Sequence, residues 1–123
     1  MDIPIAISVV TQYLPEHEHT NDGKFMFAYQ ISIHNKSTVP VTLINRHWLI
    51  TDGNGKQTEV EGHGVIGQQP NIKPGETFTY TSGVALDTPV GTMQGKYEMA
   101  LQDQTMFNAN IDVFSLSVPK SIH

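Results

Sequence analysis

The chain has 123 residues, a formal net charge of −5 at pH 7 and no cysteine. This length suits one domain with its own core, and the lack of cysteine excludes disulfides, thiol nucleophiles and thiolate metal sites. The seven Lys and Arg residues include a single arginine, Arg46, so the clustered cations of a nucleic-acid surface are missing. We expect a cytoplasmic protein that is not membrane-embedded, because no leader and no long apolar segment occur in the sequence.

Alternation of apolar and polar residues with a period of two dominates the chain and predicts β-strands. The clearest example begins at Phe25, where every second residue is a large apolar one as far as Ile33. Polar, glycine-containing and proline-containing segments separate such stretches and predict turns. In chain order, the predicted strands cover residues 3–10, 25–34, 39–50, 57–61, 76–83, 95–101 and 107–118.

Two local features refine this assignment. Asp52-Gly53-Asn54-Gly55 contains residues that tolerate positive φ, which predicts a tight hairpin that pairs 43–51 with 57–61. In the last strand the apolar positions change from odd numbers up to Ile111 to even numbers from Phe114. A change of this kind predicts a β-bulge near Asp112-Val113.

No segment shows helical periodicity, so the fold class predicted is all-β. About seven short antiparallel strands with frequent turn residues are typical of an immunoglobulin-like or fibronectin-III-like β-sandwich. The only tryptophan, Trp48, is predicted to pack in its core and not in a ligand cage, because aromatic residues dominate such cores.

The segment Gly62-His63-Gly64-Val65-Ile66-Gly67 spells G-x-G-x-x-G. A dinucleotide site with this spelling needs a helix that begins inside the glycine run, and Pro70 and Pro74 leave no room for one. Two alternatives remain. The backbone N–H groups form an anion-binding concavity, or, as we favour, the glycines only turn the chain at the end of a sheet.

Arg46 also has two interpretations. Its guanidinium either pairs with a carboxylate such as Glu59 or Glu61 on the adjacent strand, which we favour, or it converges with His63 on an anion above the glycine loop. The sequence does not decide whether Arg46 and His63 lie at the same end of the sandwich.

Metal-binding and catalytic patterns are weak. His17 and His19, with Glu16 and Glu18, offer ligands that suit Co²⁺, but two histidines on a polar loop do not make a site, and we expect them to be solvated. His34 and His47 lie on alternate faces of predicted strands, and we expect both at the surface or in hydrogen bonds. No catalytic residue, metal site or cofactor is predicted, and we expect no enzyme.

Three stretches, RHWLITDGNG (46–55), EVEGHGVIGQQP (59–70) and TPVGTMQGKYEM (88–99), closely resemble the signature of the ApaG family in this order. The likeness covers nearly the whole chain after Phe25, whereas residues 1–24, the first strand and loop, are weakly constrained in that family. Residues 1–123 are therefore expected to form a single ApaG domain. One departure is Asp112, where the family often has proline.

The resemblance implies a fibronectin-III-like sandwich and a link to cobalt resistance and magnesium efflux. It also implies a partner-binding role, as in eukaryotic proteins with a similar domain, and no established catalytic residues. Its glycine motif has been considered as a nucleotide or pyrophosphate site. Because nothing in the sequence predicts a membrane span, any role in efflux is expected to be indirect.

Two functions follow. The favoured one is a non-enzymatic module that binds an unidentified protein partner. The alternative is a protein that binds a small ligand, namely a nucleotide, pyrophosphate or a divalent cation, at the same loop. A homodimer through edge strands is also allowed. The predicted site residues for either function are Arg46, Gly62, His63, Gly64, Gly67 and Gln69.

Overall fold

The computed structural model describes residues 3–15 and 23–119, so His17 and His19 lie outside the described residues. No α-helix occurs in the described part, and therefore no helix long and apolar enough to cross a membrane. The strands are β1 (Ile5–Tyr13), β2 (Phe25–Asn35), β3 (Val41–Asp52), β4 (Gln57–His63), β5 (Asn71–Ile72), β6 (Thr77–Leu86), β7 (Val90–Ala100) and β8 (Met106–Ser117).

The strands form two antiparallel sheets, which confirms the predicted β-sandwich. One sheet has the order β1-β2-β6, and the other has the order β4-β3-β7-β8, with the short β5 also paired to β3. β1 packs beside β8 at one side of the sandwich. The edges of β6 and β4 therefore lie at the opposite side. β5 was not predicted, because a two-residue strand has no detectable alternation. Two predicted strands were also too short, since β1 continues to Tyr13 and β7 begins at Val90.

The core lies between the two sheets and contains most of the apolar set predicted from the alternation. Val65, Ile72 and Met93 also belong to it, although they lie outside the predicted strands. Trp48 is 4% exposed, and its ring meets those of Tyr29 and Phe114 at centroid distances of 5.6 and 5.9 Å in edge-on geometry. Such edge-to-face contacts are favourable for aromatic pairs. This confirms Trp48 as a core residue. Fully buried neighbours from both sheets include Phe27, Ile31, Ile33, Leu43, Met93, Tyr97, Met99 and Leu116.

The predicted hairpin between β3 and β4 is confirmed. Thr51 lies opposite Gln57, and the Asp52 carboxylate accepts hydrogen bonds from the backbone N–H groups of Asn54 and Lys56, both at 2.9 Å. The aspartate side chain thus holds the turn by bonding to the backbone two and four residues ahead.

The predicted bulge in the last strand is also confirmed. Met93 of β7 lies opposite Phe114 of β8. Two residues further along β7, Gly95 lies opposite Ile111. β8 therefore contains one extra residue at Asp112–Val113, which explains why its inward positions change parity there.

Asn35, at the end of β2, is the buried polar residue of the described core. Its Nδ2 donates to the carbonyl oxygens of Val39 at 2.8 Å and Ile72 at 2.9 Å. Its Oδ1 accepts from the Ser37 N–H at 2.9 Å and from the Ser37 hydroxyl at 2.6 Å. One side chain therefore ties together β2, the following turn and β5.

Candidate functional site

The glycine segment connects β4 to β5, and both of these strands pair along the same edge of β3. The sequence reading placed the start of the loop at Gly62. This boundary was wrong, because β4 continues through Gly62 and His63, which lie opposite Arg46 and Asn45. The excursion from the sheet therefore covers residues 64–70.

A bulge in β3 anchors this loop. The register of β3 against β7 shifts between Leu43 and Asn45, so that Ile44 is an extra residue. The Ile44 carbonyl oxygen accepts hydrogen bonds from the Gly64 N–H at 2.7 Å and from the Gln69 side-chain amide at 3.0 Å. The Ile44 carbonyl oxygen thus holds both ends of the loop to β3, and Gln69, predicted as a site residue, supplies the bond at the second end.

The tip of the loop is a tight turn. The N–H groups of Val65 and Gln68 each donate to the other residue's carbonyl oxygen, at 2.8 and 2.9 Å. The two residues between them have positive φ, 48° at Ile66 and 71° at Gly67, as in the hairpin turns that favour Asn and Gly. A β-branched residue at positive φ is strained, and the Ile66 side chain is 58% exposed. Ile66 is therefore a strained apolar residue at the surface.

Replacing Ile66 with Asn is expected to raise the free energy of unfolding by about 1 kcal/mol, because Asn adopts positive φ with little strain. Chemical denaturation measures this change. Val113 is the matched control, since it is also β-branched and 59% exposed but does not have positive φ. Val113→Asn is expected to bring no gain, and equal gains in both variants would show that strain at Ile66 is not the cause.

The glycines of the segment have local structural explanations. A Cβ at Gly62 would lie 2.7 Å from the Arg46 guanidinium, and one at Gly64, whose φ is 62°, would lie 2.0 Å from the Gln68 carbonyl oxygen. Gly67 occupies the second positive-φ position of the turn. The spelling G-x-G-x-x-G is thus accounted for by close packing and turning, without a phosphate.

The amide groups of the loop are largely used within the protein. The N–H groups of Gly64, Val65 and Gln68 all donate to backbone carbonyl oxygens. Those of Ile66 and Gly67 have no hydrogen-bond partner among the described residues. An anion at this loop would therefore meet two N–H groups at the exposed tip and not a concave ring of donors.

Arg46 does not form the ion pair that the sequence predicted. Its Nη1 donates to the carbonyl oxygens of His63 at 3.3 Å and Gly64 at 2.8 Å. Neither Glu59 nor Glu61 lies within ion-pair distance of it. Within the described chain, Nε and Nη2 have no hydrogen-bond partner.

The alternation of side chains along a strand explains this correction. Arg46 points to the inner side of its sheet, as Trp48 does, and its guanidinium lies over Gly62. Glu61 is opposite His47 and therefore points to the outer side. Glu61 is on the strand adjacent to Arg46, as predicted, but its carboxylate lies on the opposite face of the sheet from the Arg46 guanidinium.

Between the loop and the edge of β6 lies a recess of about 560 Å³. Aromatic rings form its floor, Ile66 and Gly67 form one wall, and residues of β6 form the other. None of its ten lining residues is acidic. Arg46 is therefore a cation in a recess without a carboxylate. The lining includes Tyr29, Arg46, Trp48, Tyr80, Thr81 and Ser82.

Two tyrosine hydroxyls meet under this recess. Tyr80 and Tyr97 share a short hydrogen bond between their hydroxyl groups. Burial raises the pKa of Tyr80 to about 12, and burial also raises the pKa of Tyr97. Both hydroxyls therefore stay protonated at neutral pH, and the floor of the recess is uncharged.

His63 is among the residues that line the recess, but its imidazole makes its hydrogen bond on the outer face of the sheet. Its Nδ1 donates to the Asn45 side-chain oxygen at 2.8 Å, and Asn45 Nδ2 donates to Glu98 at 3.1 Å. Glu98 in turn accepts from His47 Nε2 at 2.8 Å, and His47 Nδ1 lies 3.3 Å from Glu61. These five residues form a polar chain on the outer face of the sheet. Sequence reasoning missed it, although positions 45 and 47 opposite 63 and 61 in the hairpin register would have indicated it.

Arg46 and His63 are thus neighbours whose side chains point to opposite faces. The His63 carbonyl oxygen accepts from Arg46, whereas the imidazole bonds to Asn45 on the outer face. Among residues 3–15 and 23–119, no group of three or more His, Asp or Glu side chains is arranged to hold a metal ion.

The pair of His47 and Glu98 makes stability depend on pH. The hydrogen bond to Glu98 raises the pKa of His47, and the hydrogen bond from His47 lowers the pKa of Glu98. The raised pKa stabilises the fold fully below the ordinary histidine value of about 6.5 and ceases to do so as pH rises through the folded value. The lowered pKa stabilises it above the ordinary glutamate value of about 4.3 and is lost as pH falls through the folded value.

We therefore expect His47→Gln to lower the Tm most between about pH 4.5 and 6.5, and least in mildly alkaline solution. Thermal melts across this range measure the difference. His34→Gln is the control, because the His34 imidazole lies 2.8 Å from the Thr77 hydroxyl and contacts no carboxylate in the described structure. A pH-independent effect of His47→Gln would contradict the assignment.

Comparison with known proteins shows the family of this chain. The family model of the ApaG domain matches residues 15–101, which is most of the chain. The chain belongs to the ApaG family. Protein ApaG of Xylella fastidiosa (strain M12) is 50% identical over 119 residues, which are 97% of this chain and 94% of that protein. Protein ApaG of Enterobacter sp. (strain 638) is 47% identical over 119 residues, 97% of this chain and 95% of that one.

A solved structure of an ApaA protein from Bordetella pertussis has the same architecture. It is 42% identical, and the match covers 97% of each chain with a TM-score of 0.90. The fold is therefore shared over nearly the whole length of both chains.

Proposed function

We propose that this ApaG-family chain is a non-enzymatic protein-interaction module, whose contact surface is the turn at residues 65–68 together with the adjacent recess. The proposal is based on Ile66. Its apolar side chain is 58% exposed, and its backbone has a φ of 48°. Strain of this kind costs roughly 1 to 3 kcal/mol and is characteristic of functional positions. A protein partner that covers Ile66 would gain apolar contact and account for the strain.

The polar groups near the recess support the non-enzymatic part of the proposal. The Ser82 hydroxyl has no hydrogen-bond partner in the described chain, so no general base activates it there. The His63 imidazole bonds to Asn45 on the other face. The two buried tyrosine hydroxyls bond to each other. A nucleophile, a base and an orienting group do not come together here.

Site-specific photo-crosslinking in cells tests the proposal. A photoreactive residue replaces Ile66 in one variant and Val113 in another, since Val113 is equally exposed and lies on β8, away from the recess lining. We expect a discrete covalent adduct with another protein from position 66 and none from position 113. Adducts from both positions, or from neither, would overturn the proposed surface.

Partner binding by this chain would give it a role in the cell. We propose that the protein is cytoplasmic and acts indirectly in cobalt and magnesium homeostasis through its partner, as the family resemblance implies. A strain that lacks the chain is expected to lose cobalt tolerance and to recover it with the wild-type chain. Ile66→Asn, which is expected to fold more stably, should fail to restore tolerance. Full recovery with Ile66→Asn would show that cobalt tolerance does not depend on the 65–68 turn.

Small-ligand binding is the second candidate, and Arg46 favours it, because its guanidinium lies in a recess without a carboxylate. A nucleotide or pyrophosphate would place a phosphate on Nε and Nη2. An NMR titration with GTP, pyrophosphate, Mg²⁺ and Co²⁺, followed at the amides of residues 62–70, decides this. Saturable shifts with the phosphates would make the loop an anion site, saturable shifts with the metal ions would make it a cation site, and unchanged spectra leave the partner-binding proposal.

A further inference from the structure

β6 is an edge strand, and half of its main-chain groups point away from the sheet. It pairs only with β2, and the pairing begins with the Asn35 N–H donating to the Glu76 carbonyl oxygen at 3.0 Å. Hydrogen-bonded pairs recur at every second residue of an antiparallel ladder, so the even-numbered residues of β6 bond to β2. The odd-numbered residues direct their N–H and C=O groups to the open edge. They are Thr77, Thr79, Thr81, Gly83 and Ala85.

The other sheet edges carry features that prevent pairing with a further strand, whereas β6 does not. β4 carries Glu59 and Glu61, both exposed, and β8 is interrupted by its bulge at Asp112–Val113. β1 packs beside β8. β6 reads TFTYTSGVAL, with no charge and no proline over ten residues. Charged residues, bulges and coverage are the usual protections of an edge, so β6 is the unprotected edge of the described strands.

The recess with Arg46 opens at this same edge. Its lining includes Thr81 and Ser82 of β6 on one side and the 65–68 turn on the other, and no hydrogen bond joins the turn to β6. Three N–H donors on Nε and Nη2 of Arg46 have no partner in the described structure. A carboxylate that enters the recess would accept from two of them at once, in the paired geometry that arginine favours.

We propose that an extended segment of a partner protein adds as a strand to the free edge of β6 and places an acidic side chain on Arg46. The inference rests on the proposed function and gives its interaction surface a mode of binding and a partner chemistry. Main-chain pairing with an edge strand supplies affinity, and a side-chain pocket supplies specificity, as in known strand-addition complexes.

A second copy of this chain fits the edge less well. Two copies that pair through β6 would bring no carboxylate of the strand itself to Arg46. The flanking carboxylates of Glu76 and Asp87 already bond to the Lys73 N–H and to lysine side chains. The charge of the recess therefore favours a different, acidic partner segment.

A displayed library of random decapeptides, selected on the full chain, tests the proposal. We expect the selected peptides to share an acidic residue at a fixed position and to bind Thr81→Pro about tenfold or more weakly. Proline at position 81 removes an outward N–H but no bond to β2, as is tolerated on edge strands. Thr81→Ala is the matched control, because it also removes the threonine side chain but keeps the outward N–H, and it should bind clearly more tightly than Thr81→Pro.

Two measurements do not depend on how Thr81→Pro folds. Hydrogen exchange of the wild-type amides at Thr79, Thr81 and Gly83 should slow when a selected peptide binds. Changing the acidic residue of the peptide to its amide, or Arg46 to Gln, should each weaken binding about tenfold. The two changes together should weaken it little more than either one, because they remove the same contact.

The proposal is overturned if no peptide is selected, if bound peptides leave the β6 amides unprotected, or if the chain sediments as a dimer that Thr81→Pro dissociates. These results are separable from the proposed function. Photo-crosslinking from Ile66 would still report a partner protein if that partner binds the turn without strand addition, and its loss would contradict both.

Discussion

Replacing Gly64 with Ala is expected to lower the free energy of unfolding by about 3 kcal/mol and to displace the whole 64–70 loop. Gly64 has a φ of 62°, and a Cβ there would lie 2.0 Å from the Gln68 carbonyl oxygen. The left-handed conformation costs an alanine about 1 to 2 kcal/mol, and relieving the clash by a backbone shift adds roughly 1 to 3 kcal/mol. Chemical denaturation measures the free energy of unfolding, and amide chemical shifts of residues 62–70 report the displacement of the loop.

Gly67→Ala is the matched control for this prediction. Gly67 has a φ of 71°, but no atom lies within 4 Å of the position that its Cβ would take. Only the cost of the left-handed backbone conformation applies, so the free energy of unfolding is expected to fall by about 1 kcal/mol and the loop to stay in place. Equal losses in the two variants would mean that the close approach of Gln68 to Gly64 does not hold the loop. Partner binding should fall with Gly64→Ala, because the turn that presents Ile66 moves.

Replacing Asn35 with Ala is expected to lower the free energy of unfolding by about 3 kcal/mol, because buried groups left without hydrogen bonds cost roughly 1 to 3 kcal/mol each. The Ile72 carbonyl oxygen and the Ser37 N–H would each lose the Asn35 side chain. Asn35→Asp is a nearly isosteric second variant. It keeps an oxygen toward Ser37 but turns another toward the carbonyl oxygens, so an equal or larger loss is expected at neutral pH.

Asn71→Ala provides the comparison, since Asn71 is also an asparagine beside β3 but is exposed and makes one side-chain hydrogen bond, to the Thr42 hydroxyl at 2.8 Å. Its loss should be under about 1 kcal/mol. Urea denaturation of the three variants measures all of these values. Similar values for Asn35→Ala and Asn71→Ala would contradict the assignment of Asn35 as the tie between β2, the turn and β5.

Much of the fold could be predicted from the chain, because strands show a period-two alternation of apolar and polar residues. The hairpin at Asp52 and the bulge at Asp112–Val113 followed from turn chemistry and from a change of parity, and both are present. β5 was missed because pairing of Asn71–Ile72 with β3 depends on a distant strand. Asn35 was missed as well, since its burial comes from Val39 and Ile72 packing around it.

The candidate site was predicted less well. The residues named for it do lie near one another, but the expected ion pair of Arg46 with Glu59 or Glu61 was wrong, and the loop begins two residues later than predicted. His63 faces away from Arg46. Each of these points depends on which side of the sheet a residue faces once the register is set, and a one-residue change of register reverses that side.

Alternation and turn chemistry were enough to predict the sandwich, the burial of Trp48 in its core, and the lack of a helix after the glycine run. These depend on short-range periodicity and backbone chemistry, which a single chain displays directly. Three features of the described residues could not be predicted in this way: Arg46 has no carboxylate partner, Ile66 is strained and exposed, and β6 is the unprotected edge. These features arise where β3, the loop and β6 meet, and residues so far apart in sequence are brought together only by the packing of the two sheets.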